Sequence, residues 1–307
     1  MDQGSNPSGD VSSRLGSRYS GYTTLRVAQA DGIARVTLDN GPVNLLDRAM
    51  FKELLRLTDA LAADDSVRVV LLGSANPGYF IAHFDVAQIL RFPVDPLAAA
   101  APLPGPAPAD APLSAFHRLC EAWRSMPKAT IAVVEGRAGG GGSELALSCD
   151  MRFALQGRAV FNQPEVALGI LPGGSGTVRL SRLLGRSRAL EAILGCDDID
   201  ADLAERWGWV NRSLSAAALW PHVDRLAARI ASFPPHAVAA AKACVLRGEK
   251  DLLPDLQAEG AAFQGTLSGA GTRDAMLRFL AQGGQTPEGE GRLGALCGAL
   301  HAPPAGG

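Results

Sequence analysis

Gly139-Gly140-Gly141-Gly142-Ser143-Glu144 runs straight into Leu145-Ala146-Leu147-Ser148-Cys149-Asp150. The next informative stretch is Phe161-Asn162-Gln163-Pro164-Glu165, followed by Leu171-Pro172-Gly173-Gly174-Ser175-Gly176-Thr177. An isolated glycine run is usually a flexible linker. This one lies between a buried-strand pattern, Thr130-Ile131-Ala132-Val133-Val134, and an apolar helix that opens at once, where linkers are seldom found. Glycine lets backbone amides approach a ligand, and the start of a helix concentrates partial positive charge. The Gly141 N–H is therefore an oxyanion donor by position. Glu144 by itself reads as an ordinary first-turn carboxylate, and Pro164-Glu165 as an ordinary helix start. As a pair in apolar, glycine-rich surroundings, the two acids have the environment that raises a carboxyl pKa into a useful range. Together they equip the chain for proton transfer beside a carbonyl.

Outward from this centre the pattern is α/β. Ala34, Val36 and Leu38 alternate as on a strand, and Asp47 caps a helix that carries Met50, Leu54, Leu57 and Leu61 on one face. Val67 to Leu72 reads as a buried strand ending at Gly73, and Phe116 to Met126 as a helix. Residues 93–113 are an Ala/Pro-rich insertion or loop. Past Arg179 helices dominate: Ser181–Leu194, Ala201–Trp207, the series Leu219, Val223, Leu226 and Ile230, then Ala237–Leu246 and Arg273–Leu280. The expected organisation is a flexible tail at 1–20, an α/β core at 21–200, a helical region at 201–282 and a second flexible tail at 283–307. No exact internal repeat is visible.

Composition bounds the function. A net charge of −2 gives no general field for nucleic acid or an anionic membrane, and no apolar run reaches spanning length. Cys120, Cys149, Cys196, Cys244 and Cys297 are odd in number and scattered, without metal or disulfide spacing. With no signal-like pattern at Met1–Pro7, a reduced cytoplasm is the expected location, and no metal site is expected. Trp207, Trp209 and Trp220 read as packing residues. Ser143 has no histidine motif to activate it. Gly173-Gly174-Ser175-Gly176 lacks the Lys-Ser/Thr of a phosphate loop and reads as close backbone packing beside a pocket.

From about Leu25 to Phe279 the sequence resembles the enoyl-CoA hydratase/isomerase (crotonase) superfamily. The residues that carry the likeness are Pro42-Val43-Asn44, Phe80-Ile81-Ala82-His83-Phe84-Asp85, Gly136 through Asp150, and Gln163 through Thr177, with support from Leu203–Gly208 and Val210-Asn211. The resemblance implies a crotonase-like spiral of ββα units with a C-terminal helical oligomerisation region that builds trimers or hexamers. It implies an acyl-CoA thioester substrate, with coenzyme A as part of that substrate and no separate cofactor. By motif, the backbone N–H groups of Phe84 and Gly141 would hold the thioester oxygen, a use of fixed dipoles worth roughly 3–4 kcal/mol per donor. Glu144 would direct water to C3, and Glu165 would exchange the proton at C2. Asn44, Ala82, His83, Gly140, Pro172 and Gly173 would contact the substrate. Keeping both glutamates favours hydration of a 2-enoyl-CoA over double-bond isomerisation.

Two departures from the family pattern leave alternatives open. Ala82-His83-Phe84-Asp85 replaces the usual Ala-Gly-Ala-Asp, so Phe84 would reshape the acyl pocket, and His83 is either a third titrating group or a structural or surface histidine. The basic pair usual after the C-terminal aromatic residue is absent beyond Phe279, with Arg278 as a substitute cation. An isomerase, an acyl-CoA hydrolase or decarboxylase, and a non-catalytic binding member of the same fold are the competing readings.

Overall fold

The computed structural model describes residues 18–94, 112–249 and 252–300. It opens with a hairpin of β1 (Leu25–Ala30) and β2 (Ile33–Leu38). Asp31 and Gly32 between them both have positive φ, the two-residue turn whose twist suits paired strands. Helix α1 (Arg48–Ala62) is capped as its sequence predicts: Met50 N donates to Asp47 Oδ1 at 2.8 Å. It buries Met50, Leu54, Leu57 and Leu61. β3 (Val69–Ser74), β4 (Tyr79–Ile81) and the short α2 (Val86–Ile89) follow. Most of the Ala/Pro-rich insertion, 95–111, lies outside the described residues.

After α3 (Ala115–Ser125) come β5 (Ala129–Val134), β6 (Arg137–Gly139) and α4 (Gly141–Leu147). Next are β7 (Met151–Leu155), β8 (Val160–Asn162) and a 3-10 turn at Glu165–Leu168. The helix expected over Ser181–Leu194 is two helices, α5 (Gly176–Leu184) and α6 (Arg186–Gly195). They break at Gly185, whose φ of 77° ends the first. The remaining elements are β9 (Ile199–Asp200), α7 (Ala201–Trp207), β10 (Arg212–Leu214), α8 (Leu219–Ala231), α9 (Pro235–Leu246), α10 (Leu252–Leu267), α11 (Thr272–Ala281), α12 (Pro287–Glu290) and α13 (Leu293–Ala299).

Among the described residues the strands form two sheets, β1-β2-β3-β5-β7-β10 and β4-β6-β8-β9. Each successive ββα turn gives its first strand to the large sheet and its second to the small one: β3 then β4, β5 then β6, β7 then β8. This is the spiral that the resemblance implies. The central parallel strands are buried on both faces, as unbroken apolar runs require. Val70, Leu72, Ala132 and Val134 pack toward α1 and the main core. Val69, Leu71, Ile131 and Val133 face α8 through Leu219, Val223 and Ala227.

Both expected tails need correction. Residues 1–17 lie outside the described residues, but Arg18 and Tyr19 are already anchored, Tyr19 Oη donating to Asp64 Oδ2 at 2.7 Å. At the other end, residues 283–300 are folded. Leu293, Leu296, Cys297 and Leu300 pack with Met276 and Phe279 in a third apolar cluster. The glycines there serve close packing: a Cβ on Gly289 would meet the Gly283 carbonyl oxygen at 2.0 Å. Composition alone made this segment look mobile; four buried apolar side chains hold it down.

Candidate active site

β4, β6 and β8 run parallel, so the segments leaving their C-terminal ends emerge side by side. In register Ile81 faces Ala138, and Phe84 and Gly141 each lie three residues further on. Glu165 leaves β8 in the same layer. The spiral therefore gathers the two expected donors and one acid from three separate turns.

The Gly139–Gly142 run permits this convergence by steric absence. A Cβ on Gly142 would sit 2.4 Å from the Ile81 carbonyl oxygen, and one on Gly139 2.4 Å from that of Ala82. Gly140 has φ +44°, and a Cβ there would approach Glu165 Oε1 to 2.6 Å. The linker reading is excluded, because the run is buried throughout.

Phe84, Gly141, Glu144, Glu165 and Gly173 line one cavity of about 550 Å³. Among the described residues, neither the Phe84 nor the Gly141 N–H donates to a protein acceptor. The geometry at Phe84 has a clear cause. Leu46 N donates to the His83 carbonyl at 3.0 Å. In a trans peptide the next N–H points the opposite way, so the Phe84 amide is turned from Leu46. The rest of the wall is markedly aromatic, with Phe51, Phe92, Phe116 and Phe263 beside Phe84. Phe84 packs edge-on to Phe92 at 5.9 Å and against Phe116 at 6.1 Å between ring centroids.

The acids differ in how they are held. Glu144 is 2% exposed, and its Oε1 accepts from the N–H groups of Gly174 and Gly176, both at 2.8 Å. The second glycine cluster thus presents its amides to a carboxylate of the protein itself. Burial, then the negative charge of Glu259, pushes the Glu144 carboxyl up to about 8 against the pull of those two amides. Glu165 is 8% exposed, and its buried Oε2 has no hydrogen-bond partner among the described residues. Burial and then the Glu144 charge raise its pKa well above the ordinary carboxyl range.

Several expected contacts are not on the cavity wall. Asn44 is fully buried, with Nδ2 donating to Ser74 Oγ and to the Tyr79 and Phe80 carbonyls, while Oδ1 accepts from Asn40 N. It ties β4 to the preceding loop. Ala82, His83, Gly140 and Pro172 are likewise behind the lining, the first three shaping its frame. His83 is neither exposed nor facing the cavity; it is 3% exposed and paired with Glu290, Nε2 to Oε1 2.9 Å. Arg278 is exposed and also off the wall, whereas Arg48 and Arg91 reach it.

Glu259 was missed by the sequence reading. On α10 it accepts from Ser175 N at 2.5 Å, Val178 N at 3.1 Å and Thr177 Oγ1, and pairs with His117 Nε2 at 3.0 Å. It therefore clamps the loop that holds Glu144. The available signal was its spacing from the buried Leu252 and Leu256 on one helical face.

Residues 28–286 match the family model described as Enoyl-CoA hydratase/isomerase. The chain belongs to the enoyl-CoA hydratase/isomerase family. It is 33% identical over 257 residues to the short-chain-enoyl-CoA hydratase of Clostridium acetobutylicum, covering 83% of this chain and 94% of that protein. It is 35% identical over 231 residues to the crotonyl-CoA hydratase of Syntrophomonas wolfei, covering 74% and 84% respectively. A crystal structure from Streptomyces avermitilis superposes with a TM-score of 0.80 at 38% identity, over 91% of this chain and 99% of that one. The enoyl-CoA hydratase/isomerase family makes this chain an acyl-CoA-processing enzyme of hydratase type.

Proposed function

We propose that the enzyme adds water across the double bond of a 2-enoyl-CoA, with Glu144 and Glu165 as the acid–base pair. The observation that carries this reading is the unequal pair on one cavity wall beside two unused amides. Glu144, its Oε1 anchored by two amides that favour the charged form, takes a proton from water as the oxygen bonds to C3. The C2–C3 π electrons pass to the thioester oxygen, where the Phe84 and Gly141 N–H groups stabilise the oxyanion. Glu165, held neutral by burial, gives its proton to C2 as the carbonyl re-forms. The proton gained by Glu144 balances the one lost by Glu165, and the net change is addition of one water. No cofactor beyond the coenzyme A of the substrate is needed for these steps.

Arg48 and Arg91 at the cavity are the cations we assign to the phosphate groups of CoA, in place of the missing basic pair. We also assign α9 to contact between subunits of a homotrimer or hexamer. It is apolar yet buries none of its residues, and Val245 is 76% exposed. A cytoplasmic location is supported by five free cysteines. None of the helices in the described residues is long and apolar enough to cross a membrane.

The test is the enoyl-thioester absorbance of crotonyl-CoA and longer 2-enoyl-CoAs, with wild type beside the Glu144→Gln/Glu165→Gln double variant. Loss of the band with wild type only is the expected result. A band unchanged by wild type, despite CoA binding, would refute hydration and leave isomerisation, hydrolysis or silent binding.

A further inference from the structure

His83 and Glu290 form a buried polar pair that the proposed chemistry does not use. His83 Nε2 lies 2.9 Å from Glu290 Oε1, and His83 Nδ1 lies 2.7 Å from the carbonyl oxygen of Phe84. Both side chains are almost completely removed from solvent, His83 at 3% exposure and Glu290 at none. A carbonyl can only accept, so Nδ1 carries a proton and donates it to Phe84. Two acceptors then face the two ring nitrogens, an arrangement that an imidazolium satisfies. Such a pair is expensive to bury unless its geometry is good, and one partner without the other is strongly destabilising.

The location of the pair is what gives it meaning. The N–H of Phe84 comes from the peptide whose carbonyl is fixed by Leu46 N. The carbonyl of Phe84 belongs to the next peptide, which is held at its N–H by Asp85 N donating to the Leu46 carbonyl at 3.1 Å and at its oxygen by His83. Both planes that flank the Phe84 Cα are therefore held, and with them the direction of its amide. Glu290 is itself oriented by Gln285, whose N–H donates to Oε1 at 2.8 Å. The Gln285 side chain donates to Asp85 Oδ1 at 2.9 Å, one residue beyond Phe84. The folded segment 283–300 thus grips the loop from both sides.

We infer that His83 and Glu290 are positioning residues that fix the Phe84 N–H as an oxyanion donor, so that the C-terminal segment sets the polarising power of the site. This inference rests on the proposed use of Phe84 and Gly141 as donors. The charged and titratable groups around the pair agree with it. Burial pulls His83 down, but the Glu290 charge and hydrogen bond, the Phe84 carbonyl and Asp85 together raise it above its ordinary value. Burial pushes Glu290 up, and His83 and the more distant Arg137 bring it below the usual carboxylate range. Arg137 is held by Asp198, Nη1 to Oδ1 2.6 Å. Tyr79 also feels the Glu290 charge.

The test uses the full chain with a bound acyl-CoA, following the infrared stretch of the thioester carbonyl. Wild type is expected to shift this band to lower frequency, as donation to the oxygen weakens the bond. Glu290→Gln removes the charge with little change in shape. His83→Leu/Glu290→Leu removes the tether while leaving an apolar, packable pair, which guards against loss of folding. Both variants should lose part of the carbonyl shift, the Gly141 donor being left in place, with kcat for 2-enoyl-CoA hydration down ~10–100-fold and KM within about 2-fold, short of the loss expected from deleting a donor outright. The double variant should keep its Tm. A full carbonyl shift and unchanged kcat in a folded double variant would overturn the inference while leaving the proposed hydration intact. Absence of any shift in wild type would remove the oxyanion reading itself, and this inference with it.

Discussion

Glu144 and Glu165 share one cavity and one dominant influence, burial, yet they are held in opposite ways. Glu144 sits in the first turn of α4 with an oxygen fixed by two amides of a distant loop. Glu165 opens a 3-10 turn and keeps a buried oxygen without a partner among the described residues. Amide donation favours the charged form; two amides of a distant loop act on Glu144, whereas Glu165 has only its own backbone amide against desolvation. The pair therefore teaches how two identical side chains acquire different surroundings: the backbone around each decides how far its charged form is supported. Glu259 sharpens the contrast, because its charge is the second largest influence on Glu144 and a lesser one on Glu165.

The largest effect should come from Glu165→Gln, which removes the proposed proton donor to C2. Hydration and solvent exchange at C2 should both fall by ~10³–10⁴-fold, followed by enoyl absorbance and deuterium uptake. Glu144→Gln should lower hydration by ~10²–10³-fold and exchange much less. Equal losses of both reactions in the two variants would erase the division of labour.

The pH profile tests the same division. In the proposed mechanism Glu144 acts as a carboxylate, so kcat/KM should rise with pH through about 8. Activity should fall where Glu165, the proposed acid, gives up its proton. Stability should move the other way. A carboxyl whose folded pKa is raised binds more protons folded than unfolded between the two values. Its contribution is therefore present below the unfolded value near 4.5 and lost as pH rises through about 8. Glu144→Gln should accordingly raise Tm at pH 8 by about 2–4 °C, the shift that ~1 kcal/mol produces in a large domain. At pH 5 the change should be smaller.

Glu259→Gln acts from behind the site. Breaking its buried pair with His117 should destabilise the fold by ~3 kcal/mol, read by denaturant unfolding. Removing its charge should also move the rising limb of the pH profile to lower pH, since Glu144 then loses a like charge. The smallest catalytic effect is expected at Phe84→Ala. The proposed donor there is a backbone group, so kcat for crotonyl-CoA should stay within about 3-fold. Preference should shift toward bulkier acyl groups as the aromatic wall opens, measured by competing substrates.

Much of this site was legible in the sequence because its signals were local. The Gly139–Glu144 run, Pro164-Glu165 and the Asp47 cap each state a backbone preference within a few residues. The ββα spiral was less visible: its three turns share a geometry without sharing a sequence, and β4, β6 and β8 are too short for periodicity to register. Asn44 matched a family motif, yet its amide is consumed by Ser74 and β4. Residues 283–300 misled in the other direction, since glycine and glutamate there look like a solvated tail.

The sequence by itself determined the family, and it marked the two candidate acids and the glycine amides beside them, because a positive φ, a helix start or a close backbone approach restricts residue type wherever it occurs. Only the tertiary structure decided what surrounds these groups. Gly174 and Gly176 reach Glu144 across some thirty positions, Glu259 on α10, paired with His117 on α3, locks that loop, and Glu290 returns from segment 283–300 to His83. Burial and the pairing of distant charges set proton affinity here, and both depend on which segments the fold brings together, which no local preference encodes.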